Sequence, residues 1–124
     1  MNKQKLLVVD DDEAVLDFLQ AKLGGRFDIV STNVPENVLK LALEHRPGLI
    51  LCDVDMPELD GGDVSSALFA DDEVREIPLL FLTALVSPAD IKELAGQLGG
   101  RPAVSKSDPL PKLIERIEAL ISKT

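Results

Sequence analysis

The chain reads as an α/β protein in which five parallel strands form one sheet, wound on both faces by helices. Three observations predict this. Short, nearly continuous apolar runs recur, at Lys5–Asp10, Leu49–Cys52 and Ile77–Leu82. They alternate with stretches whose apolar residues fall at helical spacing, and strands buried on both faces alternating with helices imply a covered parallel sheet. The length, 124 residues with 45% hydrophobic content, suits one domain over residues 1–124 with a core of its own. Aromatic residues make up only 3%, so that core must be aliphatic.

The elements follow in order. Strand one is Lys5–Asp10, and the acids Asp10, Asp11, Asp12 and Glu13 come directly after it. Val15, Phe18, Leu19 and Leu23 then give a helix that Gly24-Gly25 stops. Phe27–Ser31 is strand two. Pro35 opens a second helix at its first position. Val38, Leu41 and Ala42 are its apolar face, and Pro47-Gly48 ends it. Strand three is Leu49–Cys52, running to Asp53. After the turn Asp60-Gly61, Val64, Ala67 and Leu68 suggest a short third helix. Strand four is Ile77–Leu82, with Pro78 near its start, where a missing donor does least harm. Ser87 and Asp90 resemble a capping box around Pro88. Ile91, Leu94, Ala95 and Leu98 are the stripe of a fourth helix, stopped by Gly99-Gly100. Ala103–Ser105 is strand five. Asp108 caps a fifth helix that Pro109 opens, and Leu110, Leu113, Ile114, Ile117, Leu120 and Ile121 give the cleanest helical period in the chain.

Five strand–helix units without closure suggest an open (βα)5 sheet, most simply of the flavodoxin-like order 2-1-3-4-5. In that order strands one and three are neighbours and the winding reverses between them. Ligands bind such sheets at that switch point, outside the carboxyl ends of the strands. Asp10 and Asp11 leave strand one there, and Asp53 leaves strand three.

Bulk properties narrow the function. The net charge of −9 disfavours nucleic-acid binding, which needs a basic footprint, and docking to anionic membranes. Cys52 is the single cysteine, so no intrachain disulfide forms and a reducing, cytoplasmic compartment is expected. No apolar run approaches the ~18 residues of a membrane span. The N-terminus leads directly into a five-residue strand-like run, which is too short for a signal peptide.

Clustered carboxylates repel unless a cation neutralises them, and oxygen ligands without His or Cys suit a hard ion, with magnesium the natural candidate. Thr83 ends strand four at the same rim. Lys106, after strand five, can reach back with a positive charge. The crevice thus offers acids for a metal, a carboxylate nucleophile able to form an aspartyl-phosphate, a hydroxyl and an ammonium. Other polar residues read as structure: Asp12 as a helix cap, Cys52 as a small core residue, and His45 as a surface residue at a helix C-terminus.

The motifs VVDD (Val8–Asp11), CDVDMPELDG (Cys52–Gly61), FLTA (Phe81–Ala84) and the lysine of AVSKS (Ala103–Ser107) are each weak alone. In this order and spacing the chain resembles the receiver domain of two-component response regulators along essentially its whole length. The resemblance implies that Asp53 is the phosphoacceptor, that Asp10 and Asp11 are metal acids with Asp11 the more direct, and that Asp55 lends its backbone carbonyl to a Mg2+ ion. It implies that Thr83 and Lys106 bind phosphoryl oxygens and that Ala84 keeps the site open. The phosphoryl donor would be a histidine kinase or a histidine phosphotransfer protein. The output would pass to a downstream protein or a fused output domain, with a homodimer through the helix 4–strand 5–helix 5 face as one form. Such a domain is no enzyme beyond its own phosphoryl transfer and slow autodephosphorylation.

Two departures stand out. Ala103 occupies a place where the family commonly has an aromatic residue, and Ser107 follows the lysine where proline is usual. They give weight to an alternative, a degenerate receiver that binds partners without phosphorylation. A second alternative is a phosphatase resembling the haloacid dehalogenases, since Asp53-Val54-Asp55 spells their D-x-D. Against it, that motif belongs on an early strand in a longer chain.

Overall fold

The structure is a computed structural model, and it describes residues 3–53, 66–83, 89–90, 97–98 and 101–122. Strand β1 (Gln4–Val9) leads to helix α1 (Glu13–Leu23), β2 (Phe27–Thr32), a 3-10 turn (Pro35–Asn37), α2 (Val38–His45) and β3 (Leu49–Asp53). Residues 66–69 are helical (α3), followed by β4 (Leu79–Thr83) and helical residues 89–90 (α4). Then come β5 (Gln97–Leu98), β6 (Arg101–Ser105) and α5 (Leu110–Ser122).

The strands lie in the order β2-β1-β3-β4-β6-β5. The first five are parallel, so with β6 as the expected fifth strand the order is the 2-1-3-4-5 that the sequence predicts. Every residue of β3 and β4 is buried, which is why both read as unbroken apolar runs. Side chains alternate along the strands into two cores. Leu7, Val9, Ile50, Cys52, Leu79, Phe81 and Ala103 meet α2 through Val38 and Ala42. Leu6, Val8, Leu49, Leu51, Leu80, Leu82 and Val104 meet α1 and α5 through Leu16, Leu19, Leu23, Leu113 and Ile117.

Several local expectations need correction. Leu98 pairs with Arg101 in an antiparallel strand and is not on a helical stripe. A Gly-Gly pair is a two-residue hairpin sequence as well as a helix stop, and the helical period alone could not separate the two. Pro35 opens a 3-10 turn rather than α2 itself, which starts three residues later. Ala67 faces outward while Leu68 is buried, because one turn of helix buries only part of its surface. Asp12 caps α1, accepting the Ala14 N–H through its side chain at 2.9 Å. Asp55, the Asp60-Gly61 turn, Val64, Ala84, the Ser87–Pro88 cap and the stripe residues Ile91, Leu94 and Ala95 lie outside the described residues.

Candidate functional site

The carboxyl ends of β1, β3, β4 and β6 form one rim. Val9 pairs with Cys52 across β1 and β3, so the residues that follow them, Asp10 and Asp53, leave adjacent strands side by side. Asp53 in turn is opposite Leu82, and Thr83 is opposite Ser105. The register alone therefore gathers the acids of two segments, one hydroxyl and the start of the Lys106 loop.

Asp10 and Asp53 are 1% and 3% exposed, whereas Asp11 faces solvent. One carboxylate oxygen from each of the three lies within 4.8 Å of the others. Burying carboxylates is costly unless they are paired, and the partner provided is Lys106. Its Nζ stands 3.2 Å from Asp10 Oδ2 and 3.4 Å from Asp53 Oδ1. Asp10 Oδ1 accepts the Asp12 N–H at 2.9 Å. Among the described residues Asp10 Oδ2 is buried without a well-formed hydrogen bond, and the ammonium stands 3.2 Å from it.

Burial pulls the Lys106 ammonium down, but Asp10 first and Asp53 second outweigh it, and its pKa sits above the ordinary 10.5. The lysine is thus held charged. Cys52, just before Asp53, moves the same way for other reasons. Burial, and then the charges of Asp53 and Asp10, push its thiol up to about 12. It donates to the Asp53 carbonyl at 3.4 Å and stays protonated, which rules out thiolate chemistry near neutral pH.

Thr83 is fully buried at the end of β4, and its carbonyl accepts the Lys106 N–H at 2.7 Å. The backbone of β4 thereby anchors the loop that carries the lysine. Three carboxylates against one ammonium leave an excess of negative charge. The oxygen-only donor set, and a buried Asp10 Oδ2 that lacks a hydrogen bond, fit a hard divalent cation such as magnesium.

Fold and rim together define a doubly wound α/β domain with an acidic, lysine-bridged cluster at its switch point. The chain belongs to the response regulator receiver domain family, whose model matches residues 6–118. It is thus a receiver domain of two-component signalling, a family whose members generally signal rather than turn over substrates. Among its relatives, the polar-differentiation response regulator DivK of Brucella anthropi is 32% identical over 119 residues, covering 95% of this chain and 96% of that protein. DivK of Brucella ovis is 31% identical over 121 residues, 98% of each chain. The receiver domain of Francisella response regulator 1452 superposes with a TM-score of 0.78 at 26% identity, covering 98% of both chains. The chemotaxis protein CheY4 of Vibrio cholerae shares the fold, with a TM-score of 0.79 at 22% identity over 95% of this chain and 98% of that one.

The structure brings Asp10, Asp11, Asp53, Thr83 and Lys106 to one rim. One residue that sequence reasoning passed over also acts there. Ser105 is 1% exposed, and its hydroxyl accepts the Ser107 N–H at 3.1 Å. The signal was available, since serines flank the lysine on both sides, but a single buried hydroxyl has no sequence signature.

Proposed function

We propose that this domain is a phosphorylation-controlled switch that takes a phosphoryl group on Asp53. The donor is a phosphohistidine on a partner histidine kinase or phosphotransfer protein. An Asp53 carboxylate oxygen attacks phosphorus in line, a P–O bond forms, the P–N bond breaks, and the imidazole leaves as the neutral base after taking up a proton. Asp10 and Asp11, with Asp53 and the Asp55 carbonyl, would hold Mg2+. When bound, the ion supplies positive charge against the phosphoryl oxygens.

The other residues follow from where charge appears. Lys106 already contacts Asp53 Oδ1 at 3.4 Å, so it needs only a short swing to pair with a phosphoryl oxygen. Thr83, at the tip of the adjacent strand, would donate its hydroxyl, and a residue as small as Ala84 would leave room for the group. The change is then read by a downstream protein or a fused output domain, in the cytoplasm. Ala103 is buried against Phe81, so the side chain at that place has no ring to swing, and the output takes a route other than an aromatic relay.

The observation that carries this reading is the convergence of two buried carboxylates from separate strands on one lysine. Incubation with magnesium and a small phosphodonor, followed by intact-mass measurement, tests it. One added phosphoryl on the wild type and none on Asp53→Ala is expected. No addition to the wild type, or equal addition to Asp53→Ala, rejects it.

A further inference from the structure

We propose that Ser105 is a positioning residue that aims Lys106 at the acid cluster, through the hydrogen bond its hydroxyl accepts from the Ser107 N–H. The proposal rests on the function proposed above and gives this chain its own means of holding the lysine.

A lysine side chain has four flexible torsions, and its ammonium is aimed only as well as its backbone is fixed. Here the backbone is fixed on both sides. The Lys106 N–H donates to the Thr83 carbonyl at 2.7 Å, and the Asp108 N–H donates to the Ser105 carbonyl at 3.0 Å. Between these, the Ser107 N–H donates to Ser105 Oγ at 3.1 Å. That bond closes a serine turn directly across Lys106, the local side-chain-to-backbone pattern serine favours. Ser105 belongs to β6 and is paired with Thr83, so the turn is referred to the sheet itself. The result is one Nζ within 3.4 Å of both Asp10 and Asp53.

The donor is a backbone group that proline lacks. Ser107 stands where receiver domains usually carry proline, which fixes its loop through a rigid ring. In this chain an N–H is present instead, and a buried hydroxyl one residue before the lysine receives it. The two serines form a single device: the first supplies the acceptor, and the second supplies the donor through its main chain, with its own side chain facing solvent.

The test separates main chain from side chain. Ser105→Ala removes the acceptor and Ser105→Thr keeps it. Ser107→Ala keeps the main-chain donor and removes only an exposed hydroxyl. Initial rates of phosphoryl incorporation are measured on each folded variant with saturating magnesium and a small phosphodonor. Losing the acceptor should slow Ser105→Ala by about three- to tenfold, with Ser105→Thr and Ser107→Ala within about twofold of wild type. In a Lys106→Met background Ser105→Ala should slow the rate no further, because there is no lysine left to aim. A merely structural serine would slow both backgrounds by the same factor, and that result overturns the proposal. So does a Ser105→Ala protein as fast as wild type. Should Ser105→Ala not fold, Ser105→Val against Ser105→Thr makes the same comparison at equal size. A phosphorylated wild type with all three variants unimpaired defeats the positioning role and leaves Asp53 as phosphoacceptor, whereas an inert wild type defeats both.

Discussion

Lys106→Met is the most informative single change to the rim. The substitution keeps the length of the side chain and removes the charge. Two carboxylates that are 1% and 3% exposed then lose the ammonium 3.2 and 3.4 Å away. Breaking a fully buried pair costs about 3–5 kcal/mol. The lysine side chain keeps 23% of its exposure, and water screens part of that interaction, so about 2 kcal/mol is expected in chelator. For a domain of 124 residues that is a fall in Tm of about 8 °C. Magnesium should act in the opposite sense. A ligand that binds only the folded state stabilises it by RT ln(1 + [L]/Kd), and the variant offers carboxylates with no competing cation. Its magnesium affinity should therefore exceed that of wild type, and the gap in Tm should narrow as magnesium is added. Paired thermal melts in chelator and in rising magnesium measure both effects. A variant as stable as wild type in chelator, or a gap unchanged by magnesium, would contradict this role of Lys106.

Four further outcomes are expected. Asp11→Ala should weaken magnesium binding by calorimetry without loss of stability, while Asp12→Ala should cost about 1 kcal/mol as a lost helix cap and leave magnesium affinity unchanged. Arg46 ends α2 in the left-handed region, at φ 49°, so Arg46→Gly should be more stable than Arg46→Ala by about 1 kcal/mol in urea unfolding. Cys52, with its thiol pushed up to about 12, should resist iodoacetamide at pH 8 in the folded protein and react once unfolded; labelling of the native state at the rate of a free thiol would contradict its burial. Alkaline pH should destabilise the fold through the same groups. Cys52 has a folded pKa above its ordinary 9.0, so the folded state holds more protons and stability falls from pH 9.0 towards about 12. Lys106 adds a loss above 10.5, and each group contributes at most about 1.4 kcal/mol per pH unit. Cys52→Ala should flatten the first part of that decline in denaturant titrations run at successive pH values.

The parallel sheet was legible because β3 and β4 are buried on both faces, so burial left the same mark on every residue of the run. The convergence of Asp10, Asp11 and Asp53 was legible for a topological reason. Once the order of the strands is known, the register carries their carboxyl ends to one place. Lys106 was harder, since a flexible side chain can point anywhere. Its aim depends on the Ser105 hydroxyl and the Thr83 carbonyl, neither of which has a pattern in the chain. Leu98 misled because a period of four apolar residues fits a helix equally well whether its last member belongs to it or to a following strand. The 3-10 turn at Pro35 escaped notice because proline at a first helical position suits both helix types.

The carboxylate at the end of β3 is the one proposed to accept phosphorus. Reducing the phosphorylated protein with borohydride converts an aspartyl-phosphate to homoserine, and peptide sequencing by mass spectrometry then locates it. Homoserine at position 53, dependent on magnesium in the reaction, is the predicted result. Homoserine at position 10, 11 or 12, or at none of the aspartates, would contradict it.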